Sequence, residues 1–126
     1  MPRVLTITAA DRERLDRLAA QSGTAGHLSG FVAREQDEEI GWLLTEAAEN
    51  GVRLLRADAQ GEAVLEGLVR TALFAAYDQG AVWACCRAPE LFFLLERLCF
   101  DRHGEEMRVS LPEFCHRPCR HGKARS

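Results

Sequence analysis

The densest group of reactive side chains lies near the C-terminal end, where Cys115-His116-x2-Cys119-x-His121 places four thiol or imidazole groups within seven residues. Such groups bind zinc when enough chain separates the pairs to reach four tetrahedral corners. Cys115 and Cys119 stand one helical turn apart, but no second C-x2-C or H-x3-H pair follows, and Pro118 restricts the segment. The expectation is a tail without metal whose Phe114 and Cys115 pack onto the domain. The other cysteines, Cys85, Cys86 and Cys99, fall in apolar runs. An odd total of five, two of them adjacent, argues for reduced thiols rather than a disulfide framework. Cys99 reads as a small buried hydrophobe, with a thiol acid or nucleophile as the alternative. No nucleophile elbow, phosphate-binding P-loop, HExxH sequence or dinucleotide fingerprint is present. His27 reads as a solvated loop residue, and Trp42 and Trp83 as sheet-face residues.

These side chains must be positioned by elements that the patterning outlines. Residues 3–8 (RVLTIT) suit a first strand, and Asp11 opens a helix whose Leu15, Leu18 and Ala19 share a face. Residues 21–30 carry three glycines, two serines and a threonine and read as a loop. Residues 31–35 and 39–46 form a hairpin around Gln36-Asp37-Glu38, and Asn50-Gly51 reverses the chain into a strand over 52–58. The apolar residues of that strand change phase between Leu54 and Leu55. A bulge accounts for this, and so does burial on both sides. From 62 to 79, Val64, Leu65, Leu68, Val69, Ala72, Leu73, Ala76 and Tyr77 form one helical stripe, closed by Gly80. Residues 81–86 (AVWACC) read as a central strand, 90–98 as a buried helix after Pro89, and 106–111 as a last strand ended by Pro112. The fold class is α/β: a mixed, mostly antiparallel sheet with helices on both faces.

From residue 31 to 111 this order resembles the GNAT superfamily of N-acetyltransferases. "GFVAREQDEEIGWLLTE" looks like that family's second and third strands, and "VRLLRADAQGEAVLEGLVRTALFAAYDQG" like its fourth strand, acyl-CoA loop and long third helix. "AVWACCRAPELFFLLERLCF" is similar to its fifth strand and fourth helix. The resemblance implies acyl-CoA-dependent N-acetyl transfer, with acetyl-CoA held by a loop of the form Q/R-x-x-G-x-G/A that leads into a helix. Backbone N–H groups and the helix dipole would hold the pyrophosphate there. Here the loop reads Gln60-Gly61-Glu62-Ala63-Val64-Leu65. Gln60 and Gly61 match, Ala63 replaces a glycine, Leu65 stands where glycine or alanine is usual, and Glu62 sets a negative charge beside the phosphate position. The backbone of Leu55, Arg56, Ala57 and Asp58 would polarise a thioester carbonyl. The tyrosine that serves many members as general acid corresponds to Leu95, and Tyr77, the single tyrosine, lies on the preceding helix. Glu35, Glu46 and Asp58 are the acidic candidates for a base.

The 126 residues, 47% hydrophobic and 28% charged, suit one globular domain, taken as 1–112 with a basic tail at 113–126 that carries Arg117, Arg120, Lys123 and Arg125. A net charge of −3 gives no reason to expect nucleic acid. No apolar run reaches the ~20 residues that cross a bilayer, and no signal-peptide pattern begins the chain. The expectations are therefore cytoplasmic localisation, no membrane, and a small-molecule or protein amine as partner. A homodimer would use apolar surface around Phe92, Phe93 and Trp83. Two functional readings stand: an N-acetyltransferase with eroded cofactor and acid positions, or a non-catalytic GNAT-like domain that binds a ligand or partner. A metal-binding tail is a third.

Overall fold

The structure is a computed structural model and describes residues 5–22 and 27–116. In chain order these form strand β1 (Leu5–Ala9), helix α1 (Arg12–Ser22), strands β2 (Leu28–Glu35), β3 (Glu38–Ala48) and β4 (Gly51–Ala59), and helix α2 (Glu62–Asp78). Strand β5 (Trp83–Cys86) and a 3₁₀ turn (Pro89–Leu91) then lead into helix α3 (Phe92–Arg97), strands β6 (Asp101–His103) and β7 (Glu106–Ser110), and helix α4 (Leu111–His116). Local chemistry sets several boundaries. The Asp11 carboxylate accepts the Arg14 N–H at 2.8 Å and caps α1. Gln36 and Asp37 both adopt left-handed φ, 53° and 70°, giving the β2–β3 hairpin the kind of turn that matches strand twist. Gly80, at φ 102°, follows the Gln79 C-cap of α2.

The described strands form one sheet in the order β1-β2-β3-β4-β5-β7-β6. Neighbours are antiparallel except β4 and β5, which run parallel and are joined through α2. Leu68, Val69, Ala72 and Leu73 of α2 lie over Ala33, Leu43, Val52 and Leu54. Leu91, Leu94, Leu95 and Leu98 of the 3₁₀–α3 segment and Leu111 and Phe114 of α4 complete the same core. Val32 and Leu44 alternate with those strand residues and are buried on the opposite face. Helix α1 covers that face: a methyl on Gly30 would meet the Leu15 Cδ2 at 3.1 Å, and Leu18 is buried. Helices therefore lie on both sides of the sheet, as expected.

The C-terminal third departs from expectation in detail. Residues 101–103, for which no strand was expected, form β6 and turn through Gly104, at φ 67°, into β7. Pro112 does not merely end a strand. It lies in the first turn of α4, where its missing N–H costs nothing. Phe114 of that helix is buried against α2, so the boundary expected after residue 112 falls inside a packed helix. Helix α3 is not buried on every side, since Phe93 is 52% exposed. Arg102 lies over the Phe92 ring at 4.9 Å, and Arg108 over the Trp83 ring at 4.7 Å. Among the described residues no helix is long and apolar enough to cross a membrane.

Candidate active site

Strand β4 explains its own sequence. Val52 and Leu54 face the α2 core, and so do Ala57 and Ala59, although the two pairs differ in parity. Thr45 pairs with Leu54 and Leu44 with Arg56, so Leu55 is the extra residue of a β-bulge. Without it Arg56 and Asp58 would turn into the core, at several kcal/mol for each unpaired charge. Of the two readings of the phase change, the bulge is the one observed. Pairing with β5 runs from Gly51↔Trp83 to Leu54↔Cys86 and stops at the bulge. Among the described residues, the edge of β4 that faces β5 has no strand beside it from Leu55 to Ala59.

The strands separate around a cleft of about 190 Å³, lined by Arg53, Leu54, Leu55, Cys85, Cys86, Arg87 and Ala88. Of the residues expected to act, Leu55 lines this cleft. Arg56 and Asp58 are exposed, and Ala57 packs its methyl toward the core. What this stretch offers a ligand is its backbone edge, and that edge points at the gap.

Beyond β4 the Gln60 N–H donates to the Ile40 carbonyl at 2.8 Å and the Gly61 N–H to the Ala59 carbonyl at 3.1 Å. Gly61 has φ 102°, which disfavours any side chain, and a Cβ built there meets nothing within 4 Å. Among the described residues, space is open in front of α2, and no side chain caps this helix. The Leu65 N–H donates to the Gly61 carbonyl at 3.2 Å, so the amides of Glu62, Ala63 and Val64 precede the first intrahelical bond. Gln60, Gly61 and Ala63 are all exposed around this positive end of the helix dipole. Leu65 does not obstruct the opening, because its side chain packs against the core. The charge of Glu62 is not left facing the site alone: Arg97 of α3 forms an ion pair with it.

The acid and base candidates are placed less favourably. Leu95 is fully buried in the core, so no acid stands at that position. Tyr77 half-buries its ring and shares a 2.6 Å hydrogen bond with the His116 Nε2 of α4. Cys99 was expected as a reduced thiol but is disulfide-bonded, which removes it as acid or nucleophile. Cys85, Cys86 and Cys115 are free thiols, as expected. Glu35 lies at the β2–β3 hairpin, two strands from the cleft, and Asp58 is exposed. Glu46 reaches the cleft margin through its 3.7 Å ion pair with Arg53. In the cleft, burial pushes the Cys86 thiol up to about 11, where the Ala88 N–H donates to its sulfur at 3.4 Å. Burial, then the Glu106 carboxylate, raises Cys85 against the pull of Arg53, Arg108 and Arg87.

Of the residues in the tail motif, His116 bonds Tyr77 and Cys115 is partly buried, while Cys119 and His121 lie outside the described residues. Among the described residues no group of three or more His, Cys, Asp or Glu could hold a metal. Sequence reading missed Arg97, Arg53 and Arg87, and gave the adjacent free thiols Cys85 and Cys86 no place in a site. The only local signal was Cys85-Cys86-Arg87 at the end of a buried strand.

No family model matches the sequence, and no curated protein matches it significantly. Solved structures do. The ribosomal-protein-S18-alanine N-acetyltransferase from Escherichia coli aligns over 86% of this chain and 94% of its own, at 12% identity and a TM-score of 0.69. The IAA acetyltransferase from Bacillus cereus aligns over 85% and 99%, at 13% identity and a TM-score of 0.62. The PaiA N-acetyltransferase from Thermoplasma acidophilum, in complex with coenzyme A, aligns over 74% and 64%, at 14% identity and a TM-score of 0.54. At such identities likeness speaks for architecture, and the architecture of this chain is the GNAT fold of the N-acetyltransferases.

Proposed function

We propose that the chain binds acetyl-CoA and transfers its acetyl group to an amine. The observation that carries this reading is the conjunction of the Leu55 bulge, the unpaired β4 edge beside it and the uncapped N-terminus of α2. An anion at that N-terminus would be held by the amides of Glu62, Ala63 and Val64, with Gln60 and Gly61 forming the approach. The residues fit a pyrophosphate there: Gly61 leaves open space, Ala63 is small, and Arg97 balances Glu62. The cofactor supplies an acetyl thioester, whose carbonyl a backbone N–H from the 55–58 edge would polarise. The amine nitrogen attacks the carbonyl carbon, the C–S bond breaks, and the proton lost by nitrogen balances the thiolate released.

Leu95 makes transfer slower without preventing it. A thiol with a pKa near 8.5 is already a good leaving group, and general acid catalysis contributes typically ~10²–10⁴-fold. Glu46 is the acid best placed to accept the amine proton, either directly or through water. The second reading, a GNAT-like domain that binds CoA or a partner without turnover, is favoured by that same Leu95, which leaves the expected general-acid position without a proton donor.

Acetyl-CoA titration followed by thermal melting tests the binding step. At 100 times Kd it should add about 2.7 kcal/mol, which is about 10 °C for a domain of this length. No shift at millimolar acetyl-CoA would remove both the enzyme reading and the CoA-binding form of the second. A shift without acetylation of any amine would leave the second.

A further inference from the structure

A row of residues crosses the sheet on the face away from α2. Glu46 pairs with Arg53, Arg53 with Cys85, Cys85 with Arg108, and Arg108 with Asp101. Arg87 follows at the end of β5. The row contains as many carboxylates as guanidiniums once Glu106 is included, but the cleft does not see them equally. Its charged lining residues are Arg53 and Arg87, and no carboxylate lines it.

The carboxylates stand behind. Glu46 meets Arg53 at 3.7 Å, and Glu106 meets Arg87 at 3.5 Å and Arg108 at 3.7 Å. These are long, solvated ion pairs, with the arginine side chains 50%, 78% and 46% exposed. A guanidinium carries five N–H donors, and one loose contact leaves most of them to spare. Glu46 and Glu106 therefore orient the arginines without saturating them. At the floor the Cys85 thiol is buried and has no hydrogen-bond partner among the described residues. Leu54 and Leu55 supply apolar walls. Two guanidiniums lining one apolar cleft match a carboxylate in charge and in hydrogen-bonding capacity.

We propose that this corner binds a carboxylate carried by one of the two reactants, beside the carbonyl being transferred. The inference rests on the acyltransfer reading above, since it takes the bulge at Leu55 as the place of that carbonyl. A volume of about 190 Å³ is roughly six waters at ~30 Å³ each, so the group is small. Two sources present the same chemistry: an amine acceptor that bears a carboxylate, such as an amino acid, or an acyl chain that ends in one, such as succinyl-CoA.

The test crosses acetyl-CoA and succinyl-CoA with glycine, glutamate, ethanolamine and cadaverine, following release of free CoA thiol. Preference for the amino acids with acetyl-CoA places the carboxylate on the acceptor, and preference for succinyl-CoA with any amine places it on the acyl group. Arg53→Gln and Arg87→Gln should each lower kcat/KM for the carboxylate-bearing pair about 10- to 100-fold. Arg87→Gln should leave the pair without a carboxylate within about two-fold, and Arg17→Gln should change neither pair. Equal or better use of acetyl-CoA with ethanolamine or cadaverine, insensitive to both substitutions, overturns the proposal while leaving acetyl transfer intact. If no pair turns over, melting of the protein with glutamate, succinate or cadaverine, with and without saturating CoA, decides. A shift by the two carboxylates that Arg53→Gln and Arg87→Gln abolish supports the site, and no such shift overturns it. The CoA shift alone reports separately on the underlying reading.

Discussion

Replacing Glu62 with alanine should move CoA affinity and fold stability in opposite directions. Glu62 and Arg97 form an ion pair at the mouth of the proposed pyrophosphate site, so their fields there nearly cancel. Removing the carboxylate takes one negative charge away from the mouth of the site. Two unit charges on a pyrophosphate at roughly 8 Å interact with it by about 1 kcal/mol in water and about 4 kcal/mol at an effective dielectric of 20. Side chains 41% and 57% exposed belong near the aqueous end, so about 1 kcal/mol, or five-fold in Kd, is the working value. Arg97→Ala should weaken binding by a similar factor, separating the two variants by about 25-fold. Stability responds otherwise. Glu62→Ala loses an exposed ion pair worth ~0.2–1 kcal/mol and a first-turn acidic group worth ~0.3–1 kcal/mol. Its melting point should fall by about 2–7 °C. Isothermal titration of CoA at 20 mM and 1 M salt reads the first effect, which should vanish at the higher concentration, where the Debye length is ~3 Å. If Glu62→Ala binds CoA no more tightly than the parent at low salt, the placement of the pyrophosphate at α2 is wrong.

Three other outcomes follow from the packing. A Cβ on Gly51 would stand 2.1 Å from the Trp83 ring. Gly51→Ala should therefore cost about 1–3 kcal/mol in urea denaturation, and an unchanged midpoint would show that Trp83 is free to move. Burial raises the Cys86 thiol from 9.0 to about 11, so the unfolded chain releases this proton first as pH rises. The stability linked to it is intact below about pH 9 and lost toward pH 11 at up to ~1.4 kcal/mol per unit. Cys86→Ala should flatten that part of the pH profile relative to the parent, and parallel profiles would contradict the burial. Tyr77→Phe removes the bond to His116 between α2 and α4 and should cost about 0.5–1.5 kcal/mol. A double-mutant cycle with His116→Ala that shows no coupling would dismiss the contact.

Much of the fold was legible because its elements carry strong periodic signals. The stripe from Val64 to Tyr77 located α2, and the phase change at Leu54–Leu55 pointed to the feature that opens the cleft. Residues 101–103 were not legible, because three exposed residues hold no alternation to read. Helix α4 was hidden by Pro112, which reads equally well as a stop and as the first turn of a helix. The site was less legible than the fold for a different reason. Glu62 looks like an obstacle until Arg97, 35 residues later, is brought beside it. Leu65 looks misplaced until the helix turns it toward the core. Arg53 and Arg87 share a cleft only because β4 and β5 lie side by side, a fact of topology that no local pattern contains. The cysteine arithmetic misled for Cys99, since an odd count forbids complete pairing but not a single bond.

The parallel joint between β4 and β5 also bears on how the chain assembles. On one side lie β1 to β4 and on the other β5, β7 and β6, each a set of antiparallel neighbours close in sequence. The two halves meet along four residue pairs, Gly51↔Trp83 to Leu54↔Cys86, and α2 lies in the connection between them. Each half can search its pairings locally, whereas the joint demands closure of a loop of roughly thirty residues, an entropic cost that rises slowly with length but precedes any reward. The seam that houses the cleft is thus expected to zip last in folding and to part first in unfolding. Substitutions there should act mainly on the unfolding rate, and those in the β2–β3–β4 meander on the folding rate.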